Sequence, residues 1–161
     1  MKLENTKRNI LILLVIAQML FIFCMSAQDG TESSGESLGV TRFVCSVFVS
    51  DWDNLPAEEQ DAVIEKAHGL IRVGAHFAEY AVLGFLLLLM AYELYKDKSS
   101  LDAQKYFLVW LAGVIYAVSD EIHQIFVPGR ACELKDVIID AAGVLLGLAV
   151  AEVCRRIIKN A

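Results

Sequence analysis

Four blocks of apolar residues, separated by polar stretches, dominate the pattern of this chain. They cover about 10–25, 76–95, 106–127 and 136–154. The blocks are apolar nearly all round the helix, whereas helices of soluble proteins usually have a single apolar face. The last three blocks have about the length needed to cross a hydrocarbon core. The pattern therefore predicts an all-α polytopic membrane protein, in which a four-helix transmembrane bundle forms one domain over residues 1–161.

The first block, Ile10–Met25, is interrupted only by Gln18 and follows a short basic start. A basic start and a short apolar core also fit a signal peptide. Met25 is a poor match to the small residue that cleavage before Ser26-Ala27 would require. We therefore expect the block to be retained as the first span, with Gln18 making a hydrogen bond to a neighbouring helix.

Residues 26–75 form the predicted extracytoplasmic segment between spans 1 and 2. Residues 27–37 are small, polar and acidic, which predicts a loop, and residues 38–50 have apolar positions at helical spacing. Pro56 with the two glutamates that follow it predicts a helix start. Residues 57–71 are amphipathic, which favours a short interfacial or docked helix over a span.

Lysine and arginine are unevenly distributed between the two sides of such a bundle. Nine lie in the N-terminal start, the 96–105 connector and the C-terminal tail, and five lie on the other side. Cytoplasmic segments carry the excess of these residues. The distribution predicts a multi-pass protein of the plasma membrane with both termini in the cytoplasm.

Alternation of the spans brings ionisable residues from three stretches to one outer end of the bundle. The second span begins there, the third ends there and the fourth begins there. A charge buried at bilayer depth costs about 2.5–3.5 kcal/mol, so such groups need partners and are commonly functional. The ligand-binding candidates are Arg72, His76, Glu79, Tyr80, Asp120, Glu121, His123, Gln124, Arg130, Asp136 and Asp140.

Two glycines follow Asp140 along one face of the fourth span. Gly143 and Gly147 form a small-xxx-small pattern, which lets a neighbouring helix approach closely. We therefore expect the Asp140 carboxylate above this stripe to point into the bundle.

Composition excludes several classes of protein. The formal net charge is -6, which gives no basic footprint for nucleic acid, and no glycine-rich phosphate loop or CxxC pair occurs. The four cysteines are too widely spaced for a zinc knuckle. Cys45 and Cys132 both fall on the outer side, where an oxidising compartment could pair them.

Three motifs resemble those of VanZ-like membrane proteins. Residues 72–84 are similar to R-x-x-A-H-F-x-E-Y-x-x-L-G, residues 120–130 to D-E-x-H-Q-x-F-x-P-G-R, and residues 136–147 to D-x-x-x-D-x-x-G-x-x-x-G. Ser26, Gln28 and the nearby serines resemble a Ser/Gln-rich stretch after the first span. The resemblance implies a role at the cell envelope, in the response to glycopeptide antibiotics such as teicoplanin.

Several functions remain open at this point. The outer groups could simply satisfy one another, or bind a lipid-linked cell-wall precursor or a glycopeptide, with Arg72 and Arg130 contacting phosphate or carboxylate. An intramembrane enzyme acting on a lipid-linked or phosphate-bearing substrate would use His76 or His123 as general base. A small transporter ranks lowest. No cofactor is predicted, although a divalent metal could bind among His76, Glu79, Asp120, His123 and Asp140. Membrane lipids are expected partners, and the oligomeric state is left open.

Overall fold

The computed structural model of the chain describes residues 2–27, 30–95, 102–128, 130 and 132–160, without the side chains of 2–4 and 30–37. Within these ranges every regular element is helical, which confirms the predicted all-α class. The elements are α1 (Lys2–Ser26), α2 (Gly30–Phe48), a 3-10 turn (Trp52–Asn54), α3 (Ala57–Leu94), α4 (Ala103–Gln124) and α5 (Leu134–Asn160).

Three of the described helices are long and apolar enough to cross a membrane. These candidate spans are Asn5–Ser26, Ala57–Leu94 and Leu134–Asn160. Helix α4 is not among them, because Lys105 near its start and Asp120 and Glu121 near its end shorten its apolar stretch. The helices support a membrane protein, and the fourth span stays a prediction.

Two expectations for the segment before the second span are wrong. Residues 30–37, predicted as part of a loop, belong to α2, and residues 57–94 form one continuous helix instead of a docked helix followed by a span from 76. The loop prediction relied on composition alone. Residues 30–37 contain no apolar side chain, but they extend the helix of residues 38–48, and adding to a formed helix costs far less than starting one. No proline interrupts residues 57–94, so nothing in the sequence ends the helix at the predicted boundary.

Helix α2 packs against the N-terminal part of α3 to form an outer hairpin. Its small core contains Cys45, Trp52 and Ile64, all buried. The Gln60 side chain donates to the carbonyl oxygens of Trp52 and Leu55, at 3.0 and 3.2 Å. Because Cys45 lies in this core as a free thiol, while Cys132 is exposed and also free, the disulfide considered between them is not formed.

The bundle is built around a close contact between α3 and α5. A Cβ atom on Gly143 would lie 2.5 Å from the Phe77 carbonyl oxygen, and one on Gly147 would overlap the Ala81 carbonyl oxygen. Gly84 of α3 faces the Val144 backbone in the same way. Glycine is required where two backbones approach this closely. The small-xxx-small prediction is therefore confirmed.

Polar side chains help to join helices α1 and α4 to this pair. The Gln18 side chain of α1 donates to the Glu79 carbonyl oxygen at 3.0 Å, which confirms the predicted interhelical hydrogen bond. The Trp110 indole of α4 donates to the Ala141 carbonyl oxygen at 3.1 Å. Donors inside an apolar bundle need such partners, so these bonds fix the height of each helix against its neighbour.

Candidate functional site

A cleft opens between the middle of α3, the C-terminal end of α4 and the N-terminal part of α5. The cleft is small, with a cavity volume of about 20 Å³, and it is partly open to solvent. Seven of the eleven residues predicted from the sequence line it, together with Val73 and Ile139: Arg72 and His76 from α3, Glu121 and Gln124 from α4, Arg130 from the connection, and Asp136 and Asp140 from α5. The three motifs, which are far apart in sequence, therefore contribute to one surface.

Four polar residues of this region are almost fully buried. Asp120, Glu121, Gln124 and Asp140 have exposed fractions of 2–4%. They lie where the polar ends of α4 and α5 meet, within one to two turns of the helix termini. Buried carboxylates are rare unless they are paired or hydrogen-bonded. The partners of these carboxylates therefore determine which of their oxygen atoms remain available for a further hydrogen bond.

The end of α1 supplies the partner of Asp120. The Ser26 hydroxyl, fully buried, donates to Oδ2 of Asp120 at 2.7 Å. One residue earlier, the Met25 carbonyl oxygen accepts from the Arg130 guanidinium at 3.5 Å. The last turn of α1 thus covers one side of the cluster and holds a carboxylate of α4 in a fixed position.

Glu121 is held by the chain that enters α5. Its Oε2 accepts the backbone N–H of Glu133 at 2.9 Å. This bond ties the C-terminal end of α4 to the residue that precedes α5; residues 129 and 131 of the connection lie outside the described residues. Arg130, in the same connection, lines the cleft.

Asp120 is the electrostatic centre of the cluster. Its charge acts on His76, Glu79 and Asp140, so these groups lie within Coulombic range of one carboxylate. Among the described residues, Oδ1 of Asp120, Oδ1 of Asp140 and Oε2 of Glu79 are buried without a hydrogen-bond partner. Each such atom costs about 1–3 kcal/mol, which a ligand or water reaching it would recover.

The two arginines supply the positive charge of the cleft. Burial lowers the pKa of the Arg130 guanidinium, and the charge of Arg72 lowers it further, whereas Asp120, Glu121 and Asp136 raise it. An arginine keeps its proton in proteins, so both guanidinium groups are charged. The cleft therefore presents two cations beside carboxylates, a mixed surface rather than one of a single sign.

The remaining candidates lie behind the cleft rather than in its wall. Tyr80 is fully buried in the main apolar core, with its ring 6.2 Å from that of Tyr116. His123 stacks on Phe23 of α1 at 4.4 Å between ring centroids. Glu79 is half-buried, and its backbone carbonyl binds Gln18. These three residues support the cluster from α3 and α4.

Some contributors to the site could not be found from the sequence. Ser26 was noted only as part of a serine-rich stretch. The role of the Met25 carbonyl oxygen cannot be predicted from sequence, because every residue has a backbone carbonyl. Gln28 of that stretch lies outside the described residues. The position of Ser26 at the end of an apolar block is the one sequence feature that points to the site, and it does not identify Asp120 as the partner.

No arrangement of three or more His, Cys, Asp or Glu side chains suitable for a metal ion occurs in the described part of the chain. The cluster is acidic, but its carboxylates point to different partners, namely Ser26 for Asp120 and the Glu133 backbone for Glu121. Both carboxylates are thus held by hydrogen bonds within the protein.

The comparisons with known proteins bear on the whole chain. Neither a curated protein nor a solved structure matches it significantly. The family model described as VanZ/LLP1 matches residues 11–155. All three motifs that build the cleft fall inside this range. Because the match covers nearly the whole length, the chain belongs to the VanZ/LLP1 family.

Proposed function

We propose that this protein crosses the membrane of the cell envelope four times, with both termini in the cytoplasm, and binds an envelope component in its outer polar cleft. Family membership and the three apolar helices support a membrane location. Helix α4, with 22 residues, is about 33 Å long at 1.5 Å per residue, close to the thickness of a hydrocarbon core. Its packing on α5 through Trp110 and Gly113 is consistent with a third span.

The observation that carries the binding proposal is the composition of the cleft wall. Arg72 and Arg130 face a solvent-open space that Glu121, Asp136 and Asp140 also line. Guanidinium groups bind phosphate or carboxylate through two parallel hydrogen bonds, and carboxylates accept hydrogen bonds from hydroxyl or amide groups. A ligand that joins an anionic group to hydroxyls matches both in its chemistry, as in the sugar-phosphate headgroup of a lipid-linked cell-wall precursor. With a cavity volume of about 20 Å³, the cleft would admit one such group and leave the rest of the headgroup at its mouth.

A role in resistance to teicoplanin or related glycopeptides follows as part of the proposal. A protein that holds a cell-wall precursor at the outer surface would compete with an antibiotic for it. Alternatively, the cleft would bind the glycopeptide itself, which also carries sugars and charged groups. Binding measurements with each probe separate the two.

The test uses the purified full-length protein in lipid nanodiscs, titrated with a lipid-linked cell-wall precursor and, separately, with teicoplanin. Losing one charge-assisted contact costs about 1.5–3 kcal/mol, so Arg130→Ala should weaken binding by roughly tenfold or more. Arg130→Lys, which keeps the charge but not the planar fork, should recover part of the affinity. Arg42→Ala is the matched control, since Arg42 is exposed and bonds Asp61 in the outer hairpin.

Unchanged binding of both probes to Arg130→Ala, in a protein that elutes and melts as the wild type does, would overturn the proposal. So would an equal loss in Arg42→Ala. Expression of the same variants in a susceptible host, followed by measurement of teicoplanin sensitivity, tests the resistance step separately from binding.

A second candidate function is an intramembrane enzyme acting on a phosphate-bearing lipid. The observation that favours it is the Ser26–Asp120 hydrogen bond beside the carboxyl oxygens of Asp120 and Asp140 that lack partners. Carboxyl groups so placed can serve as general acid or base. Turnover of lipid phosphates by the purified protein, with metal analysis and with added zinc or manganese, would favour this candidate. Binding without turnover under all these conditions would reject it.

A further inference from the structure

A second groove lies at the opposite end of the bundle, far from the outer cleft. It runs between α1, α3 and α5 and encloses about 450 Å³. Its wall is mostly apolar, with Leu11 from α1, Phe85 and Leu89 from α3, and Ile158 from α5. A groove of this kind on the side of a membrane bundle suits a hydrocarbon chain.

Cations flank the groove at the end where α5 finishes. Arg155 and Lys159 belong to its wall. On α1, Lys7 and Arg8 precede Leu11 by one helical turn, and residues three or four apart lie on the same side of a helix. Two helices therefore present positive charge on either side of an apolar channel.

Arg155 is held in place by its neighbours. Its Nε and Nη2 atoms donate to Glu152 at 3.1 and 2.9 Å, and its guanidinium carbon lies 4.4 Å from the centre of the Tyr92 ring. The Glu152 carboxylate also accepts from the hydroxyls of Tyr92 and Tyr106, at 2.7 and 2.8 Å. This network fixes one wall of the groove before any ligand arrives, which lowers the cost of ordering on binding.

The charges around the groove remain positive after pairing. Glu152 accepts from both Arg155 and Arg156, so one carboxylate faces two guanidinium groups. Among the described residues that line the groove, Glu93 is the one acid. Lys7, Arg8 and Lys159 add further cations. Basic pockets between helices on the cytoplasmic side of membrane proteins bind anionic lipid headgroups.

We propose that this groove binds one anionic phospholipid. An acyl chain would lie along the apolar walls that the three helices form, and the phosphate would lie near the cations of α1 and α5, namely Lys159, Arg155 and Arg8. The same cations disfavour a second copy of the chain as the occupant, because two such ends would repel each other. The proposal does not depend on the function of the outer cleft. It concerns the other end of the molecule.

Cys154, an exposed free thiol in the groove wall, provides a local readout. The experiment follows alkylation of Cys154 and Cys24 by an uncharged maleimide in the full-length protein in detergent, using peptide mass spectrometry. Phosphatidylglycerol and phosphatidylcholine with identical acyl chains are added in parallel. We expect phosphatidylglycerol to slow Cys154 alkylation at concentrations where phosphatidylcholine does not, while Cys24, which is exposed on α1 outside the groove, reacts at the same rate with both.

Removal of one cation should weaken phosphatidylglycerol protection roughly fivefold, the effect of one Lys or Arg near a membrane surface. Lys159→Gln is the test variant, because an exposed lysine at a helix end can be replaced without harm to folding. Lys135→Gln, also exposed but at the other end of α5, is its matched control and should change nothing. Equal protection by the two lipids, no protection at all, or equal effects of the two variants would each overturn the proposal.

Discussion

The close contact between α3 and α5 makes a quantitative prediction for Gly147→Ala. The added methyl group would overlap the Ala81 carbonyl oxygen and lie 2.6 Å from the Phe85 backbone nitrogen. Ordinary Cβ contacts are about 1 Å longer, and the obstacle is backbone that cannot rotate away. The two helices must therefore separate locally. Overpacking of this kind costs about 1–3 kcal/mol, and we expect the upper part of that range.

A matched control isolates the steric cost. Gly74→Ala places the same methyl group on α3, where no atom lies within 4 Å. Both variants replace glycine with alanine inside a helix, so the gain in helix propensity, up to about 1 kcal/mol, is common to the two. The difference between their free energies of unfolding then reports only the contact with α3. We expect Gly147→Ala to be the less stable by about 2–3 kcal/mol.

The assay is equilibrium unfolding in mixed detergent micelles by increasing mole fraction of sodium dodecyl sulfate. Trp110 fluorescence, measured in a Trp52→Phe background, reports the transition, because its indole donates to the Ala141 carbonyl oxygen across the α4–α5 contact. The double variant Gly143→Ala, Gly147→Ala should cost less than the sum of the single variants, since one separation of the helices accommodates both methyl groups. Equal stabilities of Gly147→Ala and Gly74→Ala would refute the reasoning.

Three further predictions concern the polar contacts. Glu152→Gln should destabilise the protein by about 1–3 kcal/mol in the same assay, because charge-assisted bonds at this carboxylate join three helices. If 1 M salt lowered the stability of the wild type by the same amount, the idea that the protein shields this network from solvent would be contradicted. Ser26→Ala leaves Oδ2 of Asp120 without its donor and should cost about 1–3 kcal/mol, whereas Ser119→Ala, an exposed serine bonded within its own helix, should cost little. Hydrogen bonds from the Lys105 side chain and backbone lower the pKa of Asp102 at the start of α4. Its stabilisation is therefore present above the usual pKa of aspartate and is lost as the pH falls through the lowered value. Protection factors of the first-turn amides of α4, which correct for the intrinsic pH dependence of exchange, should fall on acidification in the wild type but not in Asp102→Asn.

Much of the architecture followed from the sequence because it depends on alternation and spacing. Span parity alone brought 72–80, 120–130 and 136–140 to one end, and the spacing of Gly143 and Gly147 predicted the close helix contact. Both predictions depend on local periodicity, which can be read from the order of the residues. The candidate residues predicted from these patterns lie in or directly behind one cleft, while their role in binding stays a prediction.

The features that could not be predicted depend on contacts between distant residues. The bond from Ser26 to Asp120 joins residues that are 94 positions apart, and no local pattern pairs them. The continuity of α3 through residue 75 was missed because amphipathic and fully apolar stretches were read as separate helices. No sequence pattern singles out Glu152, yet its carboxylate accepts from two tyrosines and pairs with two arginines.

The central claim is that the motif-bearing segments of α3, α4 and α5 lie toward the same face of the membrane. Single cysteines at Ala78, Ile122 and Gln104, in a background without other cysteines, test it most directly with a membrane-impermeant maleimide added to intact cells and to inverted vesicles. The account predicts that positions 78 and 122 react from outside and position 104 only in inverted vesicles. Reaction of 78 and 122 from opposite faces would contradict it.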